Sequence, residues 1–383
     1  EHWTLRVPLP VLLHTMAFLD SRSLCQLHAV QRKWTLLPAE RTDRLFRACF
    51  LREFEAESAE DVAIIGGAST AWRTRLCKRA TIESNRLKLR AKRTIAVVPT
   101  PFAMSLHDTQ LAMGRDDGCI AVYSLPECKQ VTQWRTDSND GVSAVAFSPD
   151  GLLIASANDD ERCCVRIWHV SSSELARTID CPGAIECVDW RGTKLACAGS
   201  GLFLIDTTEP SNDKPVRFEQ TREFEWCALD DASIYAAAGN RTELLCYDIA
   251  SLEQRWRVTT PEHIVRTLSV AHRQILLGTA NHPSAVLGES GALQTLDIGL
   301  ETGVFSRIVA CSNAAFVCPQ WEEKTLASID LATGKLRATA DVVAEVCDMM
   351  CSWRFLVLAG APQGTDDVNT STSIVVLDFA DAD

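Results

Sequence analysis

The spacing of apolar residues changes near residue 93, from a helical period to the alternation of β-strands. Apolar residues between positions 9 and 16 lie at i, i+3, i+4 and i+7, which predicts an amphipathic helix. Shorter apolar stripes over residues 24–30, 34–37 and 45–50 predict three further helices. Such short, closely spaced helices cannot bury all of their large side chains, so the pattern indicates that some of these side chains face a partner.

After residue 93, short runs of alternating apolar and polar residues end in turn residues, which predicts β-strands. The clearest unit spans residues 142–179 and contains the turn Ser148–Gly151. Related units recur about every forty residues, which is the period of a four-stranded propeller blade. Seven units are predicted, with six or eight as alternatives, at residues 102–134, 142–179, 185–219, 224–258, 264–297, 306–340 and 345–379.

The two ends of this repeat region are complementary. The last unit has three predicted strands and lacks the outer one, whereas residues 93–99 form a spare strand ahead of the first unit. Pairing the spare strand with the last unit leaves no long sheet edge unpaired. We therefore predict an all-β C-terminal propeller, seven-bladed, in which the strand near 93–99 closes the last blade.

Composition and charge indicate two different modules in a globular chain. Hydrophobic residues make up 46% and charged residues 23% of the sequence, which excludes a disordered chain. Residues 1–93 contain 17 Lys and Arg against 10 Asp and Glu, whereas residues 94–383 contain 21 against 40. We predict a helical module over 1–54, a connector and basic helical linker over 55–92, and the propeller over 93–383.

The run from Leu9 to Trp34, LPVLLHTMAFLDSRSLCQLHAVQRKW, resembles the F-box over the full length of that module. The opening Leu-Pro pair, Phe18-Leu19, Ser23-Leu24 and the Val30/Trp34 spacing all match, while Met16-Ala17 and Gln31 depart from the usual pattern. The resemblance implies a small all-α N-terminal F-box module that docks a Skp-type adaptor and, through it, a cullin scaffold. The adaptor-binding residues that it implies are Leu9, Pro10, Leu13, Phe18, Leu24, Leu27, Val30 and Trp34. The alternative is that these side chains form only the core of a helical bundle.

The repeat units resemble WD repeats, most closely over residues 142–179 with their VRIW run before a turn. They lack the Gly-His pair of regular repeats, and Trp168-His169 stands where Trp-Asp is usual. Together the two resemblances imply a non-catalytic substrate-recognition subunit of a Skp/cullin/F-box ubiquitin ligase complex. A structural scaffold subunit that keeps the adaptor contact is the alternative, and a hydrolase or lyase on a propeller is a third.

No catalytic or cofactor motif accompanies the repeats. The sequence lacks a P-loop, an HExxH motif and a GxSxG elbow, and the 16 cysteines show neither a CxxC pair nor regular spacing. We therefore expect no enzyme activity, no cofactor, no metal site, and reduced cysteines in a cytoplasmic or nuclear protein, although any targeting segment upstream of Glu1 is not visible. No run is long and apolar enough to span a membrane. The basic stretch 71–93 is interpreted as a solvated helix or a partner for acidic groups rather than a nucleic-acid site.

The loops that join the second and third strands of a blade, and one blade to the next, share one propeller face. The resemblance implies that substrates bind on this face, as they usually do in propeller-type F-box proteins. In this sequence these loops contain many more acidic than basic residues. Such a face favours a protein target with a basic segment. The alternative is that the loops are acidic only because Asp and Glu solvate turns well. The predicted target-binding residues are Arg115, Asp116, Asp117, Asp159, Asp160, Arg222, Arg241 and Glu322.

Overall fold

The protein is represented by a computed structural model that divides into two compact units, Glu1–Arg86 and Leu87–Asp383. The structure describes residues 46–50, 72–138, 140–158, 163–208, 215–219, 222–239, 241–260, 265–271, 274–279, 284–287, 292–295, 305–311, 314–319, 325–331, 333–342, 346–360 and 371–380. Within these ranges, no helix has the length and apolar character that a membrane span requires.

The described part of the first unit is helical, at residues 46–50 and over helix α1 (Trp72–Leu87). Phe50 packs edge-on against Trp72, with ring centroids 5.5 Å apart. The basic residues of α1 divide between the surface and the interior, because Lys78 is exposed whereas Arg79 and Arg86 are fully buried and both contact Glu83 Oε1, at 3.2 and 3.0 Å. Buried guanidinium groups require such pairing, and here the acidic partner lies on the same helix.

The predicted fold class needs correction at the N-terminus, because the structure does not support a small all-α F-box module. The described residues of the first unit hold two helical segments rather than a four-helix module. The stripes predicted over residues 9–37 lie outside the described residues. Apolar residues at i, i+3, i+4 and i+7 indicate only that one helix has an apolar face. This spacing does not determine how several helices pack together.

The second unit consists of antiparallel four-stranded sheets, and the described residues form seven of them. In six sheets the strands lie side by side in chain order. The first three are β2 (Pro101–His107), β3 (Gln110–Arg115), β4 (Cys119–Ser124) and β5 (Lys129–Arg135); β6 (Val142–Phe147), β7 (Leu153–Asn158), β8 (Cys164–His169) and β9 (Leu175–Asp180); and β10 (Ile185–Arg191), β11 (Lys194–Gly199), β12 (Leu202–Asp206) and β13 (Val216–Glu219).

The next three sheets follow the same order. They are β14 (Phe224–Leu229), β15 (Ser233–Ala238), β16 (Glu243–Asp248) and β17 (Gln254–Thr259); β18 (Val265–Ala271), β19 (Gln274–Thr279), β20 (Ser284–Leu287) and β21 (Leu293–Thr295); and β22 (Phe305–Cys311), β23 (Ala314–Pro319), β24 (Thr325–Asp330) and β25 (Lys335–Asp341).

The last sheet joins the beginning of the unit to its end. Its strand order is β1 (Lys92–Val98), β28 (Thr372–Asp378), β27 (Phe355–Gly360) and β26 (Val346–Cys351). The register runs from Lys92 opposite Asp378 to Val98 opposite Thr372. The first strand of each sheet contacts the first strand of the next, and β26 contacts β2, so the sheets form a closed ring around a central channel.

The core lies between neighbouring sheets. Val165 and Ile167 of the second sheet pack with Leu195 and Phe203 of the third, and all four are buried. Complete burial of a side chain of this size stabilises the fold by roughly 1.5–3 kcal/mol. The rigid ring therefore positions the loops at its two ends. We call the end formed by the second-to-third-strand loops and the sheet-to-sheet connections the upper face, and the opposite end the lower face.

Candidate functional site

On the first sheet, the loop between β3 and β4 holds two arginines around one aspartate. Arg115 Nη2 donates to Asp117 Oδ2 at 2.8 Å, and Cys119 N donates to Asp117 Oδ1 at 3.1 Å. Arg135, at the end of β5, donates from Nε and Nη2 to the Asp117 carbonyl at 3.2 and 3.0 Å. Both guanidinium groups therefore have partners within the protein.

A glycine fixes the path of this loop. Gly118 has φ +75°, and a Cβ atom at this position would lie 2.4 Å from the Ser138 carbonyl oxygen. Glycine permits both the left-handed backbone and the close approach of the connection between β5 and β6. That close approach leaves three carboxylates exposed on one corner of the upper face, Asp116, Asp137 and Asp140.

On the fourth sheet, two glutamates pair with three arginines. Arg222 Nη1 donates to Glu243 Oε2 at 2.6 Å, and Arg257 contacts the other carboxylate oxygen of the same residue. Arg241 Nε lies 2.6 Å from Glu225 Oε2. The hydrogen bond and the charge of Arg257, followed by the Arg222 charge, lower the pKa of the Glu243 carboxyl below its ordinary value. These arginines are thus neutralised locally.

Five of the predicted target-binding residues lie in or beside upper-face loops: Arg115 and its neighbours Asp116 and Asp117 on the first sheet, and Arg222 and Arg241 on the fourth. These five residues form two separate groups, one on each of these two sheets, rather than one cluster. Asp159, Asp160 and Glu322 lie outside the described residues, as do all eight predicted adaptor-binding residues from Leu9 to Trp34. Both sets remain predictions.

A group at the channel wall was not predicted from the sequence. Arg307 Nε donates to the Cys347 carbonyl at 2.7 Å and lies 3.4 Å from Asp348 Oδ1. The Arg307 guanidinium carbon is also 5.6 Å from the ring centroid of Trp226. Burial raises the pKa of the Asp348 carboxyl, and the Arg307 charge opposes that shift.

The three residues of this group occupy equivalent positions in their repeats. Trp226, Arg307 and Asp348 each follow a register shift near the start of the first strand of their sheet. The same irregularity occurs in all seven described sheets, at one place in each repeat. Residues at equivalent positions of a ring lie at one level of the channel, so alignment of the repeats by this bulge would have brought the three together.

The second sheet has a buried polar network although the usual Trp-Asp pair is missing. Trp168 Nε1 donates to Ser156 Oγ at 2.9 Å, and Arg166 Nη1 donates to Asn158 Oδ1 at 3.0 Å. Asn158 Nδ2 in turn donates to the Asp140 carbonyl and to Thr136 Oγ1, both at 3.0 Å. The network therefore anchors the upper-face connection between β5 and β6 to the interior.

In the ranges that the structure describes, no three His, Cys, Asp or Glu side chains are grouped as a metal site would require. Most of the described cysteines are buried or half-buried, as expected for small core residues.

Comparison with known proteins agrees with this architecture. Residues 103–193 match the family model of the anaphase-promoting complex subunit 4 WD40 domain. The second unit is a β-propeller with a WD40-type segment. A solved structure, the β-propeller domain of Cps50 (Swd1) from Myceliophteria thermophila, superposes with a TM-score of 0.57 and 14% sequence identity, over 73% of this chain and 98% of that one. At this identity the likeness shows the fold alone. No curated protein matches the sequence significantly.

Proposed function

We propose that this chain is a non-catalytic protein-binding subunit of a larger complex, with the upper face of the propeller as its binding surface. The observation that carries the proposal is the closed ring, whose packed sheets hold charged upper-face loops in fixed positions. Two of these loops are anchored by Gly118 and by the Asn158 network. A preformed charged surface of this kind loses little conformational entropy when a protein binds.

The finer proposal is that the subunit recognises substrates for a cullin-type ubiquitin ligase. It is supported by the F-box-like sequence between Leu9 and Trp34 and by the joining of that segment to a propeller in one chain. In this proposal the N-terminal segment binds a Skp-type adaptor, and the propeller holds the target. The cysteines and carboxylates take no part in ubiquitin transfer.

A structural subunit of a large assembly is the second candidate. Its support is the name of the matched family, which describes a subunit of the anaphase-promoting complex. In this alternative the propeller binds other permanent subunits rather than a target that is modified and released.

Affinity purification of the full chain separates these functions. Under the ligase proposal a Skp-type adaptor and a cullin co-purify in stoichiometric amounts, and the double substitution of Leu9 and Pro10 by Ala removes both. A matched double substitution on the propeller, Val131 and Val216 to Ala, should leave capture unchanged because these apolar side chains are exposed on outer strands. A fixed multiprotein particle that contains neither adaptor nor cullin would favour the structural subunit and contradict the ligase proposal.

A further inference from the structure

Two cysteines from neighbouring sheets face each other near the channel. Cys187 lies on β10, the first strand of the third sheet, and Cys227 lies on β14, the first strand of the fourth. Their Sγ atoms are 3.8 Å apart. Each Sγ also contacts the other residue's carbonyl oxygen, at 3.6 Å from Cys187 and 3.8 Å from Cys227. These reciprocal contacts place the two residues side by side.

The third sheet separates this pair from the other thiols nearby. Cys187 and Cys227 belong to the cluster between the third and fourth sheets. Cys181 and Cys197 belong to the cluster on the opposite face, between the second and third sheets. Because successive residues of a strand point to opposite faces, Cys197 cannot reach Cys227 without disrupting β11.

We propose that Cys187 and Cys227 form a redox modification site, at which a peroxide produces a disulfide between the third and fourth blades. Cys187 is half-buried and therefore more accessible, whereas Cys227 is 5% exposed. The sulfur atoms must approach from 3.8 Å to about 2.05 Å, the length of a disulfide bond.

The chemistry proceeds in two balanced steps. The Cys187 sulfur attacks one peroxide oxygen, the O–O bond breaks, and Cys187 becomes a sulfenic acid as water is released. The Cys227 sulfur then attacks the Cys187 sulfur, the S–O bond breaks, and hydroxide leaves with the Cys227 proton as a second water. The two thiols lose two electrons and two protons in total, and one hydrogen peroxide is reduced to two waters.

The order of these steps follows from the surroundings of Cys227. Its hydrogen bond to Cys187, together with burial, raises the pKa of the Cys227 thiol well above its ordinary value. A protonated thiol is a poor nucleophile. Cys227 therefore acts second, when the adjacent sulfenic acid supplies an electrophilic sulfur.

The test uses the full chain treated with hydrogen peroxide and then analysed by intact mass and by peptide mapping without reduction. The expected product has lost the mass of two hydrogens and yields one cross-linked peptide pair that contains Cys187 and Cys227. A loop of about forty residues is closed, so the thermal midpoint should rise by roughly 5 °C and return after reduction with dithiothreitol.

Matched variants make the result specific. Cys187→Ser and Cys227→Ala should each abolish the cross-link, whereas Cys197→Ser, in the opposite cluster, should retain it. Circular dichroism and the thermal midpoint before oxidation establish that each variant is folded. The proposal is overturned if peroxide produces no intramolecular disulfide in the folded chain, if a different cysteine pair is cross-linked, or if the Cys187→Ser chain still loses two hydrogens.

Discussion

Asp206 shows how one side chain orders a turn and makes stability depend on pH. It is the last residue of the third strand of its sheet and accepts hydrogen bonds from Lys194 Nζ at 2.5 Å, Thr208 Oγ1 at 2.7 Å and Thr208 N at 3.0 Å. The Lys194 hydrogen bond, with those from Thr208, lowers the pKa of Asp206 from 3.8 to about 2. The folded state therefore holds this carboxylate in its charged form more strongly than the unfolded chain does.

Replacement of Asp206 by Asn should reduce the free energy of unfolding above pH 4 and have little effect near pH 2. Because the folded pKa is depressed, the stabilisation is complete above the unfolded pKa and is lost as pH falls through about 2. The pair with Lys194 is partly exposed, so the loss should be about 0.5 kcal/mol. Urea unfolding at pH 6 and pH 2.5 measures the difference. An equal loss at both pH values would contradict the electrostatic explanation.

Leu195 provides a residue-scale test of the interface between the second and third sheets. It is fully buried in that cluster. Leu195→Ala should lower the free energy of unfolding by roughly 2–5 kcal/mol, because it removes apolar contacts and leaves a cavity. Val216→Ala, at an exposed position on the outer strand of the same sheet, should change it by less than about 0.5 kcal/mol. Comparable losses in the two variants, measured by chemical denaturation, would contradict this packing.

At the scale of elements, β1 contributes the strand that the last sheet would otherwise lack. Its seven residues pair with β28 from Lys92 to Val98, and Val98 is buried in a cluster that also contains residues of the first sheet. Removal of β1 would expose the edge of β28 and part of this cluster. An exposed apolar edge strand is prone to pair with other chains.

A chain that begins at Leu87 keeps β1, whereas a chain that begins at Pro101 lacks it. The shorter chain should aggregate or unfold at a midpoint at least about 5 °C lower, because one strand and its share of the core are lost. The longer chain serves as the matched control, since both lack the first unit. Light scattering and differential scanning calorimetry make the comparison. A monomeric shorter chain with an unchanged midpoint would show that β1 does not stabilise the ring.

The repeated strands could be predicted from the sequence because their alternation and their spacing of about forty residues are local signals. The pairing of residues 92–98 with the end of the chain followed from counting strands in the last unit. The N-terminal fold class could not be obtained in the same way, because an apolar stripe gives a helix without its packing. The two arginine–carboxylate groups were missed as pairs, since partners such as Arg222 and Glu243 are 21 residues apart in sequence.

The group at the channel wall was missed for a related reason. Trp226, Arg307 and Asp348 come from three different sheets and meet only because the ring closes. The hydrogen bond between Arg166 and Asn158 likewise joins two neighbouring strands in a sheet that lacks the Trp-Asp pair, and the sequence did not predict it. Both contacts depend on the tertiary structure, so local sequence patterns do not predict them.

At the scale of the whole molecule, we expect the net charge of −12 and the pairing of the upper-face arginines to decide which partner binds the upper face. Arg115, Arg222 and Arg241 each contact a carboxylate. A phosphate group would have to displace those carboxylates and overcome the repulsion of the exposed acids beside them. A basic segment meets neither obstacle, and the long-range field of the acidic unit accelerates its approach.

We therefore expect the full chain to bind a lysine- and arginine-rich peptide more tightly than a phosphorylated acidic peptide of equal length. Between 50 and 300 mM salt, the affinity for the basic peptide should fall by about tenfold, because exposed charges are screened. Substitution of the upper-face residues Asp116, Asp137 and Asp140 by Asn should weaken binding of the basic peptide. The matched control replaces three exposed acids of the lower face by their neutral amides, Glu174→Gln, Asp231→Asn and Glu253→Gln, and it should leave binding unchanged. Fluorescence anisotropy measures each affinity. Tighter binding of the phosphorylated peptide, lost on charge reversal at Arg222 and Arg241, would show that a local arginine pocket outweighs the field of the acidic face.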